Sequence, residues 1–397
     1  MDLTVRGFRA AAVKSGIRGK DRLDLGLIVS DQPAAAAGVF TTNTVKAAPV
    51  LLGSARLKGG RAQAILVNSG IANACTGEEG LRNARLCGAM LADALGVDEE
   101  LVQLSSTGVI GMQLDVECFR GGIPRLAAGL SPDPAGLEAV GQAIMTTDTV
   151  PKRAVRTLEI DGVEVKLVGL AKGAGMIMPD MATMLCFILT DAAVDPALLR
   201  RMLRRGVEGS FNRITIDGDT STNDTVLLLA NGSSGAAPLV EGSPAQQVFQ
   251  ENLAALCLDL ARQVVRDGEG ASKLVTIRVT GAVDEVQARQ AARTIANSSL
   301  VKTAFFGEDA NWGRIIAALG RSGATFDQNA VSIAFDGVVL VKNGVGQGVA
   351  VEAQATAVLQ QQEFTVTVDL QAGPAGAEYL TCDLSIDYVK INADYRT

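Results

Sequence analysis

Residues 172–191, KGAGMIMPDMATMLCFILTD, constrain the fold of this chain more than any other stretch. Lys172, Gly173 and Gly175 set a turn, Pro179 and Asp180 follow, and then comes MATMLCFIL. The β-branched and aromatic members of that run suit a buried strand. The apolar stretch 173–189 is rich in glycine and interrupted by Pro179 and Asp180, so it does not read as a membrane span. Taken with the strands and helices read along the rest of the chain, it suits an α/β protein of sheets covered by helices. Thr183 stands near the start of the run behind the small Ala182. One reading makes it an ordinary strand threonine. The other has the chain cut before it, which frees an α-amine beside the hydroxyl; Thr paired with its own N-terminal amine is a recognised nucleophile–base solution.

Composition bears on that choice. The chain has no histidine, which removes every Ser-His, Cys-His and His-metal site within it. Acyl or hydrolytic chemistry would then need Lys, a carboxylate, Tyr, Cys or an α-amine as base, and an α-amine titrates at roughly 7.7 to 8. The six cysteines form no C-x-x-C pair and sit mostly in apolar contexts, as small buried thiols that fit a reducing cytoplasm. A net charge of −7 argues against nucleic acid or an acidic membrane as partner. The one dense basic run, 200–205, reads as the solvated face of a helix.

Along the chain, short apolar runs at 25–29, 38–40, 50–52 and 64–68 read as strands, and 79–96 has helical spacing ending at Gly96. Residues 101–111 read as a strand running into Ser-Ser-Thr-Gly, where Gly108 would let backbone N–H groups approach a developing negative charge and the Thr107 hydroxyl add a donor; an ordinary turn shows the same pattern. MTTDT at 145–149 closes a helix, and any of Thr146, Thr147 and Thr149 can meet a ligand or cap the next element. Residues 156–170 form a hairpin around Asp161-Gly162. Lys172 is either a solvated loop cation or a partner for a substrate carboxylate. Residues 196–210 and 244–266 have helical spacing, 226–230 read as a buried strand, and 330–386 read mostly as strands, the last of them 379–387. Asp217, Asp219 and Asp224 lack the spacing of a calcium loop and suit a hydrogen-bonding role. Glu269, between Gly268 and Gly270, holds a carboxylate on a turn at a helix end, exposed or aimed at an ammonium group.

The segment 172–185 resembles the cleavage-site motif of the ornithine acetyltransferase family, the glutamate N-acetyltransferases of arginine biosynthesis. FTTNTVKAAPV at 40–50, NSGIANACTG at 68–77, SSTGVIG at 105–111, MTTDT at 145–149, FNRITIDGDTSTNDT at 211–225, DGEGASK at 267–273, GEDANWGR at 307–314 and the closing DYVKINADYRT also resemble family signatures. The resemblance spans nearly the whole chain. It implies a self-processing acyltransferase fold like that of the DmpA-type aminopeptidases. A cut between Ala182 and Thr183 would give chains 1–182 and 183–397, which stay associated as a heterotetramer of two of each. It implies Thr183 as nucleophile and α-amine base, Thr107 and Gly108 as oxyanion hole, and Thr146, Lys172, Thr183, Glu269, Asn392 and Thr397 as substrate contacts. The implied substrates are N-acetylornithine and glutamate, with no metal and no cofactor; no motif decides whether acetyl-CoA is a second acetyl donor. A hydrolase of the same fold is the alternative, although such relatives typically carry Ser where this chain has Thr183. If Thr183 is only a strand residue, a non-catalytic binding module remains.

Overall fold

The structure is a computed structural model and describes residues 1–19, 21–178 and 184–394. Its first half supplies strands β1 (Phe8–Val13), β2 (Leu25–Phe40), β3 (Arg61–Ile71), β4 (Val102–Val109), β5 (Lys152–Ile160) and β6 (Val163–Lys172). The second half adds β7 (Leu185–Thr190), β8 (Ile214–Thr215), β9 (Thr225–Ala230), β10 (Leu274–Ala282), β11 (Ser332–Phe335), β12 (Val338–Lys342), β13 (Val345–Gly346), β14 (Glu363–Asp369) and β15 (Ala375–Cys382). The first sheet runs β4-β3-β2-β9-β7-β6-β5, with β1 also on β2; the second runs β13-β12-β11-β14-β10-β15-β8. The result is the mixed α/β class of two sheets packed by helices.

β7 shows why the apolar run folds as it does. It lies between β6, antiparallel to it, and β9, parallel to it. Side chains alternate across a strand. Leu185, Phe187 and Leu189 therefore join Leu227, Leu229, Val140 and Ile144 in one core, beneath the helix Pro134–Ala143. Cys186 and Ile188 join Val226, Leu228, Leu203, Leu256 and Leu260 in another, beneath the helices Pro196–Glu208 and Pro244–Arg266. Both faces are covered, so the sequence is apolar at every position rather than at every second one. Emptying Phe187 to Ala would cost about 3–5 kcal/mol.

The two covering helices start where their caps place them. The Asp195 side chain accepts from Ala197 and Leu198 N–H, the Ser243 side chain accepts from Gln246 N–H, and each cap is followed by proline. β2 takes two neighbours along one edge: residues 25–30 pair with β1 and residues 35–40 with β9. The expected strands at 25–29 and 38–40 are thus parts of one strand.

Three expectations need correcting. Residues 50–52 lie in the helix Ala48–Arg56, entered through Pro49 in its first turn. The strand expected over 379–387 ends at Cys382, and Ile386–Asp394 is a helix. Within the strand-rich stretch 330–386, Val349–Leu359 is a helix, whose apolar residues are spread around its circumference and so give no helical stripe. No helix among the described residues is long and apolar enough to cross a membrane.

Candidate active site

The ends of the central strands and the loops that leave them converge on one cavity of about 200 Å³, a size suited to an amino-acid-sized ligand. Thr107 and Gly108 reach it from β4, and Lys172 from the end of β6. Thr146 and Thr147 come from the loop after Ala143, and Gly175 and Met176 from the loop after β6. Asp217, Asp219, Ser221, Thr222 and Asn223 come from the loop before β9. Glu269 follows the long helix, and Tyr388 and Asn392 lie on the last one.

Gly108 has to be glycine. Its φ is +133°, and a Cβ there would lie 2.2 Å from the Gly70 carbonyl carbon of β3. The β3–β4 pairing, otherwise in register, shifts at Gly70 and Ile71. Next to Gly108, the buried Thr107 hydroxyl lies 3.3 Å from Lys172 Nζ. Lys172 Nζ donates to Thr146 Oγ1 at 2.8 Å and stands 4.0 Å from Asp148 Oδ2. Burial pushes the Lys172 pKa down, and Asp148 works against that shift. Of the three candidate threonines in MTTDT, Thr146 is the one bonded to Lys172, Thr147 also lines the cavity, and Thr149 turns away to bond Asp267.

Asp148 organises this wall. Its carboxylate accepts from Gly173 N–H at 2.7 Å, Thr146 N–H at 2.9 Å and Lys152 Nζ at 2.5 Å. Lys152, itself buried, also reaches Asp267 at 2.5 Å. Burial alone would raise the Asp148 pKa, but Lys172 and Lys152 outweigh it and hold the carboxyl below its usual range.

The other polar group centres on Glu269, which is 9% exposed and whose Oε2 accepts from Asn392 Nδ2 at 2.7 Å. A Cβ on Gly175 would lie 2.5 Å from the Glu269 carboxylate, so the glycine is what lets the loop pass. Asp217 accepts from Met176 N–H at 2.6 Å and Ile177 N–H at 2.9 Å, which fixes that loop; burial pushes its pKa up to about 6. Burial likewise raises the Tyr388 pKa, helped by Asp217 and Glu269. Asn223 Nδ2 donates to the carbonyls of Ala72 at 2.7 Å and Ser106 at 2.8 Å, tying the β9 loop to the ends of β3 and β4.

The structure thus gathers Thr107, Gly108, Thr146, Lys172, Glu269 and Asn392 into one cavity. Ala182, Thr183 and Thr397 lie outside the described residues. Asp148, Asn223 and Tyr388 were not singled out by the sequence, whereas Asp217, expected to act by hydrogen bonds, holds Met176 and Ile177. The Asp148 carboxylate two residues after Thr146 was the available signal, since that spacing suits a side chain that bonds its own loop. Among the described residues, no group of three or more Cys, Asp or Glu is placed to hold a metal ion.

Fold and site together define an α/β enzyme whose cleft brings hydroxyls, a buried lysine and a carboxylate around an amino-acid-sized space. The ArgJ family model matches residues 9–397, and the chain belongs to that family, making it an enzyme of the acetyltransferase class. It is 56% identical over 395 residues to the arginine biosynthesis bifunctional protein ArgJ of Desulfotalea psychrophila, covering 100% of both chains. The protein of the same name from Geobacter sulfurreducens is 53% identical over 395 residues, again with 100% of both covered. Among solved structures, the ArgJ crystal structure from Bacillus halodurans is 43% identical, with a TM-score of 0.51; the match covers 53% of this chain and 98% of that one.

Proposed function

We propose that this chain transfers the acetyl group of N-acetylornithine to glutamate through an acetyl ester on Thr183, in arginine biosynthesis. The observation that carries this reading is the cavity's pairing of a buried cation with a buried carboxylate: Lys172 between two threonine hydroxyls, and Glu269 held by Asn392. An α-amino acid with a charged side chain offers groups of both signs. Lys172 and Thr146 receive its carboxylate, and Glu269 receives the ornithine ammonium.

Thr183 becomes an N-terminus when the precursor cuts itself after Ala182, into chains 1–182 and 183–397. Its α-amine then takes the hydroxyl proton, and Oγ attacks the acetyl carbonyl. Thr107 and Gly108 stabilise the tetrahedral oxyanion, each donor contributing about 3–4 kcal/mol. Ornithine leaves, and the glutamate amine takes the acetyl group from the ester. The two chains stay together and pair again as a heterotetramer. The six free cysteines suit a reducing cytoplasm as its location.

Intact mass of the untagged protein under denaturing conditions tests the cut, with Thr183→Ala as control. Two fragments joining at Ala182 and Thr183, absent in the variant, are expected. Incubation with N-acetylornithine and glutamate should then yield acetylglutamate. Free acetate with no acetylglutamate would mean hydrolysis, and a single full-length mass would refute the nucleophile.

A further inference from the structure

The basic run 200–205, expected to be a solvated helix face, divides its arginines between two surroundings. Arg201 turns to Glu241 at 2.7 Å. Arg200 and Arg204, one turn apart on the helix Pro196–Glu208, line a groove of about 580 Å³ instead. Lys58 joins them from the 3-10 turn Leu57–Gly59, and Lys46 from the loop between β2 and the helix Ala48–Arg56. No aspartate or glutamate lines this groove. Among the described residues, none of the four cations has an ion-pair or side-chain hydrogen-bond partner. Like charges four residues apart on a helix repel each other. In a chain of net charge −7, four such cations around one cleft form a local field of opposite sign to the whole.

The backbone beneath them adds donors of its own. Ala36 N–H donates to the Gly60 carbonyl at 2.8 Å, on the β3 side of β2, whereas Thr41 N–H donates to the Asp224 carbonyl at 3.0 Å, on the β9 side. Phe40 stands opposite Thr225 of β9, yet Thr225 N–H goes to the Met184 carbonyl, so the two do not exchange hydrogen bonds. N–H groups alternate in direction along a strand. Gly38 and Phe40 N–H therefore point the way Ala36 N–H does, towards an edge where pairing with β3 ends at Ala35. Both residues line the groove, and among the described residues neither N–H has a partner. Edge N–H groups of this kind are ready to pair with an incoming acceptor.

We propose that this groove binds a ligand carrying two linked phosphates, either free pyrophosphate or the diphosphate of a nucleotide. Every polar group named in the groove is a donor, and four of them are cationic. A single carboxylate offers one charge and two oxygens, too few to answer them, whereas two linked phosphates bring several charges and acceptor oxygens in one short span. The Arg200 and Arg204 guanidiniums are planar forks that match phosphate oxygens two at a time, and the lysines serve as point charges. The site does not rest on the acetyl-transfer reading. It shares no lining residue with the active-site cavity, so substitutions in the groove leave the cavity's own hydrogen bonds in place.

Isothermal titration of the purified full chain in magnesium-free buffer tests this, with inorganic phosphate, pyrophosphate and ADP as probes at matched ionic strength. Pyrophosphate and ADP should each bind at one site per chain, at least about 10-fold more tightly than inorganic phosphate. ADP binding well above pyrophosphate would assign the nucleotide as the source of the phosphates, and equal binding would assign pyrophosphate itself. Arg200→Gln and Arg204→Gln should each weaken binding roughly 10- to 100-fold, the loss of one charge-assisted hydrogen bond. Arg201→Gln, on the same helix but turned to Glu241, should leave Kd within about twofold, because an exposed pair contributes little. All of these side chains are exposed, so the variants should keep the wild-type Tm. No saturable binding of either diphosphate, or binding that survives the Arg200→Gln, Arg204→Gln double variant unchanged, would overturn the site.

Discussion

Replacing Asp148 with Asn tests whether the Lys172 wall is held electrostatically. The variant keeps the side chain's shape and removes a charge from a site whose carboxylate is fully buried. Breaking a buried ion pair by removing one partner costs about 3–5 kcal/mol. Lys152 keeps Asp267 at 2.5 Å, so the charge left poorly matched is Lys172, at 4.0 Å from the lost carboxylate. That puts the expected loss near the lower limit, about 3 kcal/mol. With an unfolding entropy of about 2.1 cal/mol/K per residue, a chain of this length should lose roughly 3–4 °C in Tm. The pH dependence gives an independent check. The folded-state pKa of Asp148 is depressed, so its contribution is fully present above the unfolded carboxyl value of about 3.9 and is lost as pH falls through the lower folded value. Measured in the uncut Thr183→Ala background, the difference in urea unfolding made by Asp148→Asn should therefore hold steady from pH 8 to 5 and shrink below about 4. A Tm within 1 °C of wild type at neutral pH, or a difference that grows on acidification, would refute the reasoning.

Other substitutions probe the cavity one function at a time. Lys172→Met removes the charge partner of the substrate carboxylate; a lost charge-assisted hydrogen bond of about 1.5–3 kcal/mol should raise KM for both N-acetylornithine and glutamate by roughly 10- to 100-fold. Glu269→Gln should raise KM for N-acetylornithine more than KM for glutamate, and equal changes in steady-state assays would deny it the ornithine ammonium. Gly108→Ala drives a methyl group into the Gly70 backbone at 2.2 Å, so kcat should fall by roughly 100- to 1,000-fold even where the protein still folds and cuts.

The parts of this fold legible in the sequence were those whose pattern is local. The both-face burial of β7 shows in its unbroken apolar run, and the 244–266 helix shows in its spacing. The helix Ala48–Arg56 was hidden because Val50, Leu51 and Leu52 have strand-like composition and the helix start lies in Pro49. Val349–Leu359 was hidden because its apolar residues follow no face. Lys172, Glu269, Asn392 and the Thr107-Gly108 pair were nameable through family resemblance, but their mutual contacts were not. Asp148 and Asp267 meet around Lys152 across more than 100 positions of chain, and Asn223 reaches Ala72 across 151. No spacing rule encodes such pairings, which exist only once the sheet has closed.

The order of the first sheet carries a consequence for the two-chain product. β6 and β2 belong to the stretch before Thr183, and β7 and β9 to the stretch after it. In the sheet they run β2-β9-β7-β6, so the later segment is a two-strand wedge hydrogen-bonded on either flank to the earlier one. Once cut, neither product holds the whole first sheet, and parting them means tearing two strand ladders out of a covered core. Reassembly from separate unfolded chains would be a meeting of two molecules rather than the closing of one loop. The uncut precursor therefore acts as its own template: folding has to come first, cutting second, and a denatured mature enzyme should refold far less well than denatured Thr183→Ala, which keeps its chain whole.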